Sequence, residues 1–252
     1  MRRLAIISAL LTSFIAAPAI AADVRVPQQP ISHYDVRSVG GFYITGFGGY
    51  SRGQLEEDYG DYSYTPFKPK GWVAGAGLGY DHRFSNGVIL GLVSDFALTG
   101  QKGSKTNSYS FGDCWWDCYS VNVTETYGAQ LEWLGTTRGK LGYALGSLTV
   151  YGTGGVAYGK VRHSFTSTTT TSWDDNWSFR SKRDQFGVGW TVGVGAEWAM
   201  MQNLAVFAEY LHVDLNLAHL SESWNGGTYT TSTRMTDDIV KAGVKWTFLS
   251  TN

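Results

Sequence analysis

The chain has two cysteines, little charge and, after its first two dozen residues, no long apolar run. Each shortage excludes something. Cys114 and Cys118 stand in one CWWDC segment with no neighbouring histidine, so no zinc set is completed. Charged residues make up only 16%, with 20 basic against 21 acidic side chains, which argues against nucleic acid as a partner. No later stretch approaches the roughly 20 apolar residues of a spanning helix. A mean hydropathy of −0.17 by itself reads as a soluble protein.

What is present points elsewhere. The chain carries 32 Gly, 15 Tyr, 12 Phe and 10 Trp, a composition suited to strands. Asp184–Trp198 reads DQFGVGWTVGVGAEW. Phe186, Val188, Trp190, Val192, Val194, Ala196 and Trp198 share one parity; Gly187, Gly189, Thr191, Gly193, Gly195 and Glu197 share the other. A period of two marks a strand between two environments. The apolar side is either a soluble core or a lipid face. Mean hydropathy cannot separate these, because a barrel strand averages its lipid side with its lumen side.

The pattern recurs. Strands are predicted at about 41–51, 71–83, 87–98, 129–145, 148–161, 184–198, 203–214 and 238–248. Three connections are tight: Phe84–Gly87, Gly146–Ser147 and Met200–Asn203. The others are long, at about 54–69, 99–127, 162–183 and 215–237, and read as loops. Long and short alternate, which puts all long connections at one end, the asymmetry of outer-membrane barrels. A lipocalin-like soluble barrel has no reason for it. The expected fold is all-β, an eight-stranded antiparallel up-and-down transmembrane β-barrel.

The beginning supplies an address. Arg2 and Arg3, the apolar Leu4–Ala17 and the Ala19-Ile20-Ala21 site form a secretory leader over residues 1–21. A periplasmic tail over 22–38 and a barrel over 39–252 are expected to follow, with no second domain. Without Arg2 and Arg3, 18 bases face 21 acids, a formal charge of −3.

A small barrel fills its own interior. Inward parity falls to Asp81, Asp95, Glu132, Glu197 and Glu209, and to Arg138, Lys140, Lys241 and Lys245. Two readings stand: a paired lumen charge network, or hydrated groups near the mouths. Outward parity falls to Trp72, Tyr80, Trp133, Tyr143, Trp190, Trp198, Tyr210 and Trp246, which suits aromatic girdles. In an exported chain Cys114 and Cys118 are expected to form a disulfide. Segments such as TSTTTTSWDDNWSF from Thr166 read as solvated surface or, with their tryptophans, as a contact surface.

Several runs carry a family resemblance: Leu131–Val161 (LEWLGTTRGKLGYALGSLTVYGTGGVAYGKV), GWTVGVGAEW from Gly189, LAVFAEYLHVDL from Leu204, VKAGVKWTF from Val240 and GGFYITGFGGY from Gly40. They resemble the small alpha-proteobacterial outer-membrane β-barrel proteins, the porin-like, opacity-type surface antigens. Arg138–Tyr143 is the most specific stretch. The resemblance covers nearly the whole mature chain except the long connections. It implies an outer-membrane location, structural support of the envelope and surface antigenicity. Leu249–Asn252, after Phe248, departs from the family's habit of ending on an aromatic that the assembly machinery reads.

Expected partners are outer-membrane lipid and lipopolysaccharide and the barrel assembly machinery, with any loop ligand unknown. Some members of the resembled family bind haemin, and His163 and His219 are chemically able to ligate haem. A lipid-modifying enzyme needs a nucleophile with a base in reach, and no such constellation stands out. No catalytic residue, metal or cofactor is therefore expected.

Overall fold

The computed structural model describes residues 40–58, 63–114, 118–172, 176–217, 220–224 and 227–248, with side chains for all of these except 57–67, 113–119 and 218–232. The expected leader and tail, His33, His219, Trp115, Trp116, Trp173 and the Leu249–Asn252 extension lie outside the described residues.

The strands are β1 (Gly41–Asp58), β2 (Ser63–Phe67), β3 (Lys70–Arg83), β4 (Val88–Thr99), β5 (Lys102–Cys114), β6 (Cys118–Leu145), β7 (Leu148–Thr171), β8 (Asn176–Ala199), β9 (Leu204–Leu217), β10 (Leu220–Trp224) and β11 (Gly227–Thr247). Eight of them close a ring in the order β1–β3–β4–β6–β7–β8–β9–β11 and back to β1. Every pairing is antiparallel, and closure runs from Tyr43↔Thr247 to Asp58↔Ser232. In hydrocarbon no water can satisfy a free strand edge, so a spanning sheet must close in this way.

The distribution of exposure selects the lipid reading of the alternation. Leu141, Val194 and Trp198 are each about three-fifths exposed, while Arg138 is 1% exposed. Large apolar groups cover the outside and charged groups fill the inside, the inverse of a soluble core. Outward aromatics form two bands. Phe42, Tyr80, Tyr143, Trp198 and Trp246 lie near the tight turns; Tyr50, Trp72, Trp190 and Tyr210 lie toward the other end.

The short connections follow from local chemistry. Gly87 and Gly146 hold φ of 87° and 67°, the left-handed region that glycine enters without a Cβ clash. In the first turn Asn86 Oδ1 accepts from the Val88 N–H at 3.1 Å.

The long connections differ from the expectation of loops. β6, β7 and β8 run for 28, 24 and 24 residues, about twice the 9–11 that cross a bilayer. Their outer halves, with β5, continue the barrel wall as a sheet. Most of 99–127 and 162–183 is therefore strand. The run Thr166–Thr171 is rich in β-branched residues, whose stiff side chains favour extended backbone. Polarity had marked it as loop; here polarity marks water on both faces of a sheet.

Candidate functional site

The lumen is the most constrained part of the molecule. Inward positions of β3, β4, β6, β8, β9 and β11 deliver four acids and four bases, and these sort into two quartets. Nearer the tight turns, Lys140 Nζ reaches Asp81 Oδ2 at 2.9 Å and Glu197 Oε1 at 2.5 Å. Lys245 Nζ reaches the same Asp81 oxygen at 2.5 Å and Glu197 Oε2 at 2.9 Å. One layer further along, Arg138 Nη1 lies 2.6 Å from Glu209 Oε1, and its Nη2 bonds Asp95. Lys241 Nζ lies 2.7 Å from Asp95 Oδ2 and 3.0 Å from Glu209 Oε2. Each quartet is electrically neutral, and each acid touches both bases.

Neighbouring side chains finish the solvation. Lys245 Nζ sits 4.2 Å above the Tyr43 ring, Lys140 Nζ 4.4 Å above Tyr151, and Lys241 Nζ 4.2 Å above Phe47. Such cation–π contacts strengthen when desolvated. Arg138 also donates to Thr136 Oγ1 at 3.1 Å and Thr153 Oγ1 at 2.8 Å. Inward glycines make the room: a Cβ on Gly77 or Gly91 would collide with the carboxylate of Asp95 or Asp81 respectively. The space left among these residues is about 20 Å³, sufficient for one water molecule. Beyond the quartets an apolar layer including Leu55, Val73, Leu134, Leu211, Val213 and Met235 fills the section. Between them, quartets and apolar layer stopper the barrel.

Glu132 departs from its expected place. The β6–β7 register slips between Leu131 and Trp133, and the extra residue is a β-bulge. Parity changes there. Glu132 joins an external group instead, with Arg162 at 2.5 Å and Lys160 at 3.2 Å. Asp184 completes that group, 2.7 Å from both bases. Hydrogen bonds from Arg162 and Lys160 hold the Asp184 carboxyl well below the usual carboxylate range.

Where the lumen opens toward the long strands, buried Gln101 donates from Nε2 to Asp237 Oδ1 at 2.9 Å and to the Pro69 carbonyl at 3.3 Å. Asp237 sits beyond the Tyr50–Trp72 band, outside the bilayer-spanning stretch, because its neighbour Asp238 is in register with Arg52. Burial pushes the Asp237 carboxyl up to about 8. Sequence parity alone gave no hint of this pair, since Gln101 belongs to a connection.

The outer sheet has two unlike faces. One carries hydroxyls in cross-strand pairs: Thr106 with Thr126 at 3.1 Å and Ser108 with Thr124 at 3.3 Å. The other carries aromatic rings. Tyr127 and Phe165 lie 5.0 Å apart, Phe165 and Phe179 6.4 Å apart, and Tyr109, Phe111, Trp177 and Phe179 are more than half exposed. At its tip the backbone sets Cys114 opposite Cys118 across β5 and β6. His163 lies in β7 opposite Arg183, and its proposed companion His219 is outside the described residues. His212 Nδ1 and Tyr210 Oη meet Asp238 Oδ1 at 2.8 and 2.7 Å, with no serine, threonine or cysteine among these partners. No group of three metal-ligating side chains occurs among the described residues.

A closed ring with a lipid-compatible exterior and a stoppered, charge-paired interior defines a transmembrane β-barrel protein of the outer-membrane type. Residues 7–248 match the family model described as outer membrane protein beta-barrel domain, and the chain belongs to that family. It is 34% identical over 228 residues to the 31 kDa outer-membrane immunogenic protein of Brucella melitensis, covering 85% of this chain and 88% of that one. It is 28% identical over 176 residues to the 22 kDa outer membrane protein of Rhizobium leguminosarum bv. viciae, covering 69% and 63%. Among solved structures, outer membrane protein OprG from Pseudomonas aeruginosa matches with a TM-score of 0.39 at 12% identity, covering 85% and 99%. The protein is located in the outer membrane.

Two outcomes test the lumen. Arg138→Ala leaves Asp95 and Glu209 short of a counter-charge and is expected to cost about 3–5 kcal/mol in a urea titration of the refolded barrel. Glu132→Gln, outside the wall, is expected to leave the midpoint unchanged; equal losses would refute the bulge assignment. For Asp237, the folded protein keeps a proton that the unfolded chain releases between about pH 4 and 8. Stability is therefore expected to fall as pH rises through that window, and Asp237→Asn to flatten the fall relative to the native chain. A titration series in which both proteins respond alike to pH would remove Asp237 from the explanation.

Proposed function

We propose that this protein is a structural barrel and surface antigen of the outer membrane, supporting envelope integrity and working through its outer strands rather than through a pore or an active site. The single observation that carries this reading is the stoppered lumen: two neutral quartets and an apolar layer, with cavities among them of only about 20 Å³ each. A barrel so filled has no path for solutes, so its working surfaces are the lipid-facing wall and the long end. In this reading the tight turns face the periplasm and the extended sheet faces the exterior, as short and long connections do in bacterial barrels. The name of the Brucella relative as immunogenic supports an exposed long end.

The expected test results are concrete. The purified barrel in a planar bilayer gives no stable ohmic conductance, and Asn107→Cys in a Cys114→Ser, Cys118→Ser background is labelled by a membrane-impermeant maleimide on intact cells. Loss of the gene raises sensitivity to detergent. A steady channel current, or labelling only after lysis, overturns the reading.

A second reading has its own observation. The aromatic face around Tyr109, Phe111, Tyr127, Phe165 and Phe179 is open to water, and such a face suits a flat apolar ligand such as haemin or a host surface. A haemin titration that saturates and is lost with Phe165→Ser favours it.

The exported leader over 1–21 and a Cys114–Cys118 staple at the hairpin tip complete the proposal. The facing register of the two cysteines supports the staple. Intact mass of protein taken from the envelope is expected two hydrogens below the thiol form. Two alkylatable thiols in unreduced protein would exclude the bridge.

A further inference from the structure

One cross-strand row lies immediately beyond the Tyr50–Trp72 aromatic band. Its members are paired in register around the wall: Asp238, Arg52, Lys70, Lys102, Gln130, Arg162 and Asp184. Residues paired in register point to the same face of a sheet. That face is the outer one, since Tyr50 and Trp72 stand two positions away on the same strands and are each more than half exposed. Arg52, Lys70 and Lys102 are themselves exposed.

The charges along this row are not balanced where they stand. At one end Arg162 is satisfied by Glu132 and Asp184. At the other, Asp238 faces Arg52 and accepts from Tyr210 and His212, which leaves Lys70 and Lys102 as the uncompensated pair. Between them Arg52, Lys70 and Lys102 occupy three adjacent strands, about 5 Å apart by sheet geometry. Among the described side chains, no carboxylate lies within ion-pair distance of Lys70 or Lys102. Like charges placed directly opposite destabilise a sheet. An anion that comes to the outside of the wall relieves this repulsion between Lys70 and Lys102.

The position restricts which anion. On the barrel side of the row, Tyr50, Trp72, Leu98 and Val240 are exposed lipid-facing groups. An anion that meets the row while its remainder packs on these residues must be amphiphilic, with its charge at the apolar boundary. A guanidinium followed along the row by two ammonium groups suits phosphate oxygens, which take a fork from arginine and point charges from lysine. We infer that Arg52, Lys70 and Lys102 form a binding site for the phosphorylated headgroup of an outer-leaflet lipid, of the lipid A type. Its acyl chains would lie along the wall below Trp72. The inference rests on the outward orientation of the long end proposed above, which the whole-cell labelling decides separately.

The test is native mass spectrometry of the full refolded barrel in detergent, without divalent cations, titrated with diphosphorylated lipid A, with its dephosphorylated form, or with inorganic phosphate. The native barrel is expected to retain the phosphorylated lipid and release the other two. Lys70→Gln with Lys102→Gln is expected to weaken retention roughly 30-fold, the effect of two cations each acting at ordinary surface strength. Arg180→Gln with Lys182→Gln removes the same charge from the outer sheet and is expected to retain the lipid. Heat-shifted gel mobility verifies that both double variants fold. Equal retention of the dephosphorylated lipid, an unchanged Lys70/Lys102 variant, or an equal loss in the Arg180/Lys182 control overturns the site.

Discussion

An ion inside a barrel of eight strands has nowhere to be hydrated, and the rest of this structure follows from how that is resolved. Burying one unpartnered charge costs several kcal/mol. Here eight charges are buried together, and each finds two opposite partners. The geometry needs small residues beside large ones. Glycine at 77 and 91 admits the carboxylates, while Tyr43, Phe47 and Tyr151 lean over the ammonium groups. The strands are thus tied across the lumen as well as along their ladders. A sheet that must close for the sake of its backbone is locked by the side chains it encloses.

This arrangement divides labour along the barrel axis. The bilayer-spanning stretch is committed to closure and packing. The variable chemistry lies outside it: a basic row at the rim, a hydroxyl face and an aromatic face beyond. The outer sheet is an extension of the same hydrogen-bonded wall, so those faces are presented on rigid strands. That rigidity lowers the entropy cost of binding anything to them.

Much of this was legible in the sequence because a period of two is hard to imitate. The alternation placed all eight ring strands and assigned Asp81, Asp95, Arg138, Lys140, Glu197, Glu209, Lys241 and Lys245 to the interior. Their sorting into quartets required the shear between strands, which parity does not carry. Glu132 was misplaced because a bulge consumes one residue without any change in hydrophobic pattern. The outer halves of β6, β7 and β8 were taken for loops because neither face there is buried. Threonine content was the available signal, and it favours strand. Gln101 and Asp237 escaped notice because they stand 136 residues apart in the chain and meet only once the barrel is closed.

The two-faced outer sheet places an arithmetic restriction on how this surface can diversify. Side chains alternate, so inserting or deleting a single residue between the rim and the hairpin tip exchanges the aromatic and hydroxyl faces beyond it. Two residues at a time lengthen or shorten the mast and leave its faces in place. Descendants are therefore free to substitute almost anything on the water-facing sides, but they keep their architecture only by changing length in even steps, or by absorbing an odd step in a new bulge such as the one at Glu132.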